Sequence, residues 1–314
     1  MGLSKLVIAL GGNALQESGT PATAEAQLEV VKKTCEYIAE LSCRKYEIAI
    51  VHGNGPQVGR ILLASEAAAN VTPSMPFDVC GAMSQGYIGY HIQQSLRKAL
   101  ADRNKNTQVT TIVTQVVVDK DDIAFKNPTK PIGAFYSEEE AKKLQEEKGY
   151  VMKEDSGRGW RRVVASPVPK RIVEISSVKE LWNSTICIAA GGGGIPVIEK
   201  EDGSLEGVAA VIDKDFAAEK LSEILDADCL LILTAVERVC INYNKPEEKS
   251  LDIITLEEVD KYISEGQFAH GSMLPKVEAC KKFVMHDDNK VAIIASLSKA
   301  KEALKGLSGT KIVK

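Results

Sequence analysis

The chain has 314 residues, of which 44% are hydrophobic and 26% are charged. These proportions are typical of a folded globular protein and exclude a disordered chain, a collagen-like repeat and a disulfide-stabilised miniprotein. The formal charge of −4 gives no overall positive field for nucleic acid or an anionic membrane, so a local group of residues must hold any bound anion.

The first two predicted strands share one pattern, in which a β-branched run is followed by glycines and then by a helix. Residues 6–10 form the first strand, which leads into Gly11-Gly12-Asn13 and then a long helix. The second strand, at 47–51, leads into His52-Gly53-Asn54-Gly55, and a helix begins at Pro56 because proline fits the first helical position. This repeated order predicts an α/β protein with a mainly parallel sheet.

The middle of the chain departs from this pattern. A strand at 110–118 is followed by a charged segment with four prolines, residues 120–170, which predicts a small protruding subdomain. A strand at 185–189, ending in glycines 191–194, restores the pattern. The economical division is an N-terminal lobe, residues 1–205, and a C-terminal lobe, residues 206–314. The C-terminal lobe has predicted helices at 215–225, 255–264 and 274–286 and strands at 229–233 and 291–295.

The glycine turns are candidate phosphate-binding sites. Their backbone N–H groups are not covered by side chains, and a following helix adds the positive end of its dipole. Each turn alone is explained equally well as a tight turn, but three at the carboxyl edge of one parallel sheet indicate a ligand there. Their sequences match neither the P-loop nor the dinucleotide-binding fingerprint. Asn13 and Asn54 either shape the turns or contact substrate oxygen, and we favour contact because both lie within glycine turns.

Three lysines have settings unlike those of ordinary surface lysines. Lys130 lies in a proline-stiffened segment, and Lys276 follows a proline at a predicted helix start. Lys214 lies between Asp213 and Asp215. Ammonium groups that converge on a transferring phosphoryl group would stabilise the charge on its oxygens. The aspartates either act only as favourable charges at a helix N-terminus, or they orient a lysine and act on Mg²⁺. Magnesium is preferred to zinc or calcium because phosphates and water complete its shell.

Two further side chains lie near these segments. His52 is a candidate acid, but a packed structural histidine is the better interpretation. Cys240 is either a small buried apolar residue or a thiol whose modification would hinder nucleotide binding. No serine, cysteine or histidine is placed as a nucleophile with its base.

The remaining cysteines and histidines give no sign of a disulfide framework or a transition-metal site. The seven cysteines are odd in number, are widely spread and form no C-x-x-C pair, and the four histidines have no ligand spacing. No apolar run reaches the roughly 20 residues that cross a bilayer, and the N-terminus does not have the pattern of a signal peptide. We therefore expect a cytoplasmic protein that binds neither membrane nor nucleic acid.

Eight sequence blocks resemble those of the amino-acid kinase family and, within it, of the carbamate kinases. The resemblance extends over nearly the whole chain, and the two blocks that point most specifically to carbamate kinases are 127–133 and 157–164. The other blocks lie at 9–15, 51–59, 78–86, 190–196, 212–215 and 271–277. The resemblance implies a three-layer αβα sandwich with a mainly parallel open central sheet. It also implies a homodimer, with the N-terminal lobe binding the small substrate and the C-terminal lobe binding ATP or ADP.

The resemblance further implies a reaction and its residues. The reaction is the reversible, Mg²⁺-dependent transfer of phosphoryl between ATP and carbamate, giving ADP and carbamoyl phosphate, with ATP made at the end of arginine breakdown through the dihydrolase route. Catalytic roles are implied for Lys130, Lys214, Asp215 and Lys276. The substrate and the transferring group would be held by Gly11, Gly12, Asn13, Gly53, Asn54 and Gly55. The nucleotide would be bordered by Gly192, Gly193, Thr234, Ala235, Val236, Tyr243, Met273 and Lys276. Because carbamate is already an anion, direct transfer needs neither a general base nor a covalent intermediate.

Several alternatives remain open from the sequence. A kinase of the same fold that uses acetylglutamate, aspartate or a nucleoside monophosphate would not need the inserted segment that carries Lys130. A non-catalytic nucleotide sensor would not need the three lysines, and an NAD-dependent dehydrogenase would need a glycine fingerprint that the chain lacks. A soluble protein with incidental glycine turns is the remaining possibility.

Overall fold

The computed structural model describes residues 4–17, 19–43, 46–155 and 157–314. Its α-helices are α1 (Ala24–Ser42), α2 (Gly55–Ala67), α3 (Phe77–Ala101), α4 (Glu138–Lys148), α5 (Ile175–Trp182), α6 (Lys214–Ile224), α7 (Leu256–Ser264), α8 (Met273–Met285) and α9 (Ala300–Leu304). Its strands are β1 (Lys5–Leu10), β2 (Glu47–His52), β3 (Gln108–Thr111), β4 (Gln115–Val117), β5 (Lys130–Tyr136), β6 (Met152–Glu154), β7 (Trp160–Val164), β8 (Arg171–Ile172), β9 (Thr185–Ile188), β10 (Ile195–Glu199), β11 (Leu205–Gly207), β12 (Cys229–Thr234), β13 (Val239–Ile241), β14 (Lys249–Leu251), β15 (Ile253–Thr255), β16 (Val291–Ser296) and β17 (Thr310–Val313). Across these ranges, no helix is long and apolar enough to cross a membrane.

The main sheet has eight strands within the described residues, in the order β15-β17-β16-β12-β1-β2-β9-β3. The six strands from β16 to β3 pair in parallel, and the pairing of β16 with β17 is antiparallel. The predicted α/β class with a mainly parallel sheet is therefore confirmed. The sheet also joins the two expected lobes, because β1 pairs directly with β12. The boundary at 205/206 falls within β11, and the division into lobes stays a prediction.

Helices cover both faces of the main sheet, and its strands are therefore buried on both sides. In β1, Leu6, Ile8 and Leu10 belong to a core packed with α1, α3 and α9. Val7 and Ala9 point to the opposite face and belong to a core packed with α5, α6 and α8. Strands with apolar residues at consecutive positions are typical of parallel sheets covered on two faces. This arrangement is the expected three-layer αβα sandwich.

Residues 130–164 form a small separate unit. Its three-stranded sheet has the order β5-β7-β6, and α4 packs against all three strands. Ser137 and Glu140 form a capping box at the start of α4, and Gly149 ends the helix in a left-handed conformation with φ 65°. We call these residues the small unit. They correspond to the central part of the subdomain that the sequence predicts at 120–170.

Three sequence-based expectations about elements were wrong or incomplete. The strand expected at 110–118 is two strands, β3 in the main sheet and β4 in a second sheet of order β11-β10-β4-β8. The chain leaves the main sheet at Thr114, whose N–H bonds to the Gln85 side chain and whose C=O accepts from both Gln85 and Ile195 N of β10. The long helix α3 was not predicted, and neither was β17, which follows the strand predicted at 291–295.

Candidate active site

The glycine turns meet at one edge of the main sheet because β12, β1, β2 and β9 are adjacent and parallel. The backbone of the first two turns continues the sheet ladder. Gly11 N donates to Leu233 O at 3.0 Å, and Gly53 N donates to Leu10 O at 3.1 Å. The carboxyl ends of four neighbouring strands therefore lie side by side, where open α/β sheets bind ligands.

A cavity of about 200 Å³ opens at this edge, and we call it the lysine cavity. It brings together residues from β5, α6, α8 and the glycine turns, which are far apart in the sequence. Of the predicted site residues, those lining it are Gly12, Gly53, Asn54, Gly55, Lys130, Gly192, Lys214, Asp215 and Lys276. Asp213 and Ser272 also line it.

Some predicted residues lie beside the lysine cavity without lining it. Gly11 is buried under the end of β12, and Asn13 is exposed. Gly193, Thr234 and Ala235 are also outside the residues that line it. The glycine pattern thus predicts the edge of the sheet where this cavity lies, but it does not distinguish residues that face the cavity from those that only shape the turns.

The three lysines are held by two aspartates. Lys130 Nζ donates to Asp213 Oδ2 at 2.8 Å. Lys214 and Lys276 both donate to Asp215, at 2.6 Å to Oδ1 and at 3.0 Å to Oδ2. The Asp215 side chain is only 2% exposed, and both of its oxygens accept hydrogen bonds from ammonium groups within the protein. The sequence-based proposal that the aspartates orient lysines agrees with these contacts.

Local helix geometry sets these positions. Asp213 is the N-cap of α6, and its Oδ1 accepts from Asp215 N at 2.9 Å while its Oδ2 binds Lys130. Capping thus fixes the carboxylate that holds the small unit's lysine. Lys276 lies in the first turn of α8, so the N-terminal ends of α6 and α8 both face the lysine cavity. Their dipoles add to the positive potential there.

Burial and charge oppose each other at two of these groups. Burial alone would raise the pKa of Asp213, but the charge of Lys130 and its hydrogen bond outweigh burial, and the pKa lies below its ordinary value. Burial lowers the pKa of Lys214, and the neighbouring Asp215 charge opposes that change. A partly desolvated ammonium group interacts more strongly with an incoming phosphate than a hydrated one does.

The turn after β9 is closely packed against the turn after β2. A Cβ atom on Gly191 would overlap the His52 ring, and one on Gly192, whose φ is 67°, would overlap the Asn54 side chain. Asn54 Nδ2 donates to Ser84 Oγ at 2.8 Å. Glycine is therefore required at both positions for steric reasons, and it brings backbone amides close to the cavity.

His52 has the features of a structural residue. Its ring is fully buried, and its Nδ1 lies 2.8 Å from Gly53 O. Burial lowers its pKa to about 4, against the opposing effect of the Gly53 hydrogen bond. A neutral, packed imidazole agrees with the interpretation that the sequence favours.

Two organising residues, Ser84 and Gln85, were not assigned from the sequence. Ser84 accepts the Asn54 bond and donates to Gly81 O at 2.6 Å. Gln85 Nε2 donates to Gly191 O at 2.9 Å and so positions the turn after β9. Both lie in the block at 78–86 and within α3, so they were missed together with that helix.

A second cavity, of about 430 Å³, lies next to the first and shares Ser272 with it. We call it the C-terminal cavity because all of its lining residues lie between 236 and 273. Val236, Tyr243 and Met273, which were predicted to border a nucleotide, line it. Cys240 also lines it, and the effect of its modification stays a prediction. A polar cavity that continues into a larger one with aromatic and aliphatic walls suits a ligand with a charged end and an apolar end.

In the lysine cavity, phosphate oxygens and water would hold Mg²⁺ more than protein carboxylates would. Both oxygens of Asp215 bind lysines, and Asp213 binds Lys130 and the α6 backbone. Phosphate oxygens and water would therefore supply most of the shell, as Mg²⁺ commonly requires. The cluster Glu219, Glu223 and His286 has metal-ligand types, but Glu219 already bonds to Lys282 at 2.7 Å.

Comparison with known proteins identifies the class to which this fold and site belong. A family model described as the amino acid kinase family matches residues 4–295, and the chain belongs to that family. The chain is 64% identical to a carbamate kinase from Clostridium perfringens, covering 99% of this chain and 100% of that one. It is 54% identical to a carbamate kinase from Pyrococcus horikoshii, covering 98% of each. Within the family, its full-length relatives are thus carbamate kinases, which confirms the predicted kinase class.

Solved structures agree with this grouping. The structure matches carbamate kinase from Giardia lamblia bound to AMP-PNP with a TM-score of 0.93 and 45% identity, covering 100% of this chain and 99% of that one. A UMP kinase from Bacillus anthracis has a TM-score of 0.51 and 14% identity, which shows a shared fold alone.

Proposed function

We propose that the chain catalyses reversible, Mg²⁺-dependent phosphoryl transfer between ATP and carbamate, giving ADP and carbamoyl phosphate. The observation that carries the proposal is the convergence of Lys130, Lys214 and Lys276, with two aspartates, on a cavity rimmed by glycine turns. Full-length carbamate kinase relatives support the choice of substrate. By the same resemblance, we propose that it makes ATP at the end of arginine breakdown through the dihydrolase route.

The chemistry requires two anions to meet, and the residues present address that difficulty. A carbamate oxygen would form the new bond to the γ-phosphorus, while the bond from that phosphorus to the bridging oxygen breaks and its electron pair stays on ADP. Carbamate needs no deprotonation, so no general base is required. Glycine N–H groups and the three lysines would offset the charge on the equatorial oxygens and hold the reactants in line.

The two cavities have different proposed occupants. The C-terminal cavity would take the base and ribose of the nucleotide, and the lysine cavity would take the phosphates and carbamate. Residues 206–314 would then form a nucleotide lobe, and residues 1–205 would supply the acceptor turns. Mg²⁺ bound to the nucleotide phosphates would neutralise charge on them.

One assay tests the reaction. Purified protein with ADP, Mg²⁺ and carbamoyl phosphate should produce ATP, measured by a coupled luminescent or spectrophotometric readout. Parallel reactions with ATP and acetylglutamate, aspartate or UMP test the alternative acceptors. ATP formation no higher than in the enzyme-free control at several pH values would contradict the proposal, as would faster turnover of one of the alternatives.

The assignment of the lysines has its own prediction. Lys214→Ala should lower kcat by about a hundredfold or more, because one preorganised cation facing the transferring group is lost. Lys143→Ala is a matched control, since Lys143 is exposed on α4 and lies outside both cavities. Near-normal turnover by the Lys214 variant would remove Lys214 from the catalytic group.

We further propose a homodimer that uses the outer face of α3. Val79, Met83 and Tyr90 are exposed on one side of this helix, with 48% and 61% of Met83 and Tyr90 accessible. Exposed apolar side chains that share a helix face are typical of protein contacts. Met83→Glu combined with Tyr90→Glu should give a monomer in sedimentation, whereas Leu307→Glu, at an exposed position outside α3, should not. A double variant that sediments like the unmodified protein would refute this interface.

A further inference from the structure

A third cavity, of about 520 Å³, lies between α2 and the small unit. Three arginines line it, and we call it the arginine cavity: Arg60 comes from α2, Arg158 precedes β7 and Arg161 lies within β7. Gly55, Pro56 and Pro131 line both this cavity and the lysine cavity. The two spaces therefore adjoin across the start of α2 and the start of β5.

Arg60 is the informative residue. Its side chain is partly buried, and it forms no ion pair with any carboxylate in the described residues. With the Gln27 amide oriented so that its oxygen faces Arg60, that oxygen accepts from both terminal nitrogens, and Arg60 Nε remains buried without a hydrogen-bond partner. A partly buried guanidinium group whose charge is not balanced is costly unless an anion completes its environment.

The other two arginines are already oriented. Arg161 donates to Gly133 O and to Asp155, each at 3.2 Å, and Arg158 donates to Asp155 at 3.0 Å. Both guanidinium groups lie over the Phe135 ring, at 5.0 and 5.1 Å from its centroid. Stacking and ion pairing hold these planar donors in place, which favours bidentate binding of phosphate or carboxylate.

The balance of charge differs between the two adjoining cavities. The lysine cavity has three lysines against two aspartates, and all three lysines are engaged. The arginine cavity has three arginines against Asp155 alone, with no acidic residue in its lining. Before substrate arrives, an anion therefore meets the larger uncompensated charge in the arginine cavity.

We propose that the arginine cavity binds the small anionic substrate and passes it to the lysine cavity, with Arg60 as its principal ligand. The chemistry recognised is a phosphate group or a carboxylate on a small molecule. This loading role rests on the proposed function, and the carbamoyl phosphate of the reverse reaction is the anion concerned.

Calorimetric titration with inorganic phosphate tests the binding site without relying on turnover. Arg60→Gln should weaken phosphate binding about tenfold, since it removes a charged hydrogen-bond donor. Arg158→Gln should weaken binding about threefold and does not threaten the fold, because that side chain is 62% exposed. Arg171→Gln, at an exposed position on β8 outside the arginine cavity, is the matched control and should bind phosphate normally. Arg60→Gln and Arg158→Gln affinities equal to that of the control, for folded variants, would overturn the site.

Kinetics test the loading role. Arg60→Gln should lower kcat/KM for carbamoyl phosphate by about tenfold through KM, with kcat and the KM for ADP unchanged, and added salt should reduce the difference. Weakened phosphate binding with unchanged kcat/KM would overturn the loading role. If the unmodified enzyme forms no ATP while phosphate binding still depends on Arg60, the proposed function fails and the anion site stands.

Discussion

Asp215 shows how much of the site depends on a single side chain. Its two oxygens hold lysines from α6 and α8, and one of these lysines is its neighbour in the sequence while the other is 61 residues away. The contact with Lys214 follows from adjacency and the predicted helix start. The contact with Lys276 depends on how α6 and α8 pack, so the sequence indicates the residue type but not the partner.

The buried imidazole of His52 gives a prediction about pH and stability. Its pKa is about 4 in the folded protein and near 6.5 when unfolded, so between these values the unfolded chain binds more protons. This contribution makes stability fall as the pH drops from 6.5 towards 4 and leaves it constant above 6.5. At pH 4.5 the loss relative to pH 7 should be roughly 2 to 3 kcal/mol.

Urea unfolding at pH 7 and pH 4.5 measures this contribution. His52→Asn should remove that part of the difference between the two pH values. His270→Asn should retain it, because His270 is exposed. An equal pH dependence in His52→Asn and the unmodified protein would show that another group is responsible.

At the scale of elements, the start of α6 combines a helix cap with an ion pair. Asp213 caps the helix through one oxygen and binds Lys130 of β5 through the other. The position of the small unit relative to the main sheet is thus coupled to the first turn of α6. The sequence predicts the helix start from the two aspartates, but the partner of Asp213 lies 83 positions away and no spacing rule connects them.

Paired substitutions at Asp213 separate the two roles. Asparagine retains a good N-cap but loses the charge that holds Lys130, whereas alanine loses both. The free energy of unfolding of Asp213→Ala should therefore be lower than that of Asp213→Asn by about 1 kcal/mol. Both variants should lower kcat/KM for carbamoyl phosphate to a similar extent, because both lose the charge that holds Lys130. Equal stability of the two variants would show that the cap contributes nothing.

The elements that sequence reasoning found and missed have a common explanation. β1, β2, β9 and β12 are short apolar runs bounded by glycine or polar residues, and their patterns are local. Helix α3 was missed because apolar residues such as Met83 and Tyr90 lie on its exposed face as well as its buried one, which obscures the helical period. At the break between β3 and β4, Thr114 bonds to Gln85 of α3 and to Ile195 of β10, contacts that only the folded chain contains.

At the scale of the whole molecule, one sheet crosses the boundary between the expected lobes. β1 of the first half lies between β2 and β12, and each pairing continues along its full length. The two halves therefore share their central hydrogen bonds and both cores. Their apolar residues become exposed together when β1 separates from β12.

This continuity predicts one cooperative unfolding transition. In a Trp160→Phe background, the fluorescence of buried Trp182 reports on residues 1–205. The reactivity of Cys280, whose pKa is raised well above its ordinary value by burial, reports on residues 206–314. Both signals should have the same urea midpoint. Two separate midpoints would show that the lobes unfold independently in spite of the shared sheet.

The contacts around Gly191 and Gly192 restrict how the enzyme can be redesigned. Any larger residue there would overlap His52 or Asn54, so we expect substitutions in this turn to disturb the candidate site before they change substrate choice. The small unit carries Lys130 and two of the arginines on an element outside the main sheet, so we expect it to accept substitutions with less damage to the central fold. Directed evolution towards a different acceptor acid should therefore accumulate its productive changes between residues 130 and 164.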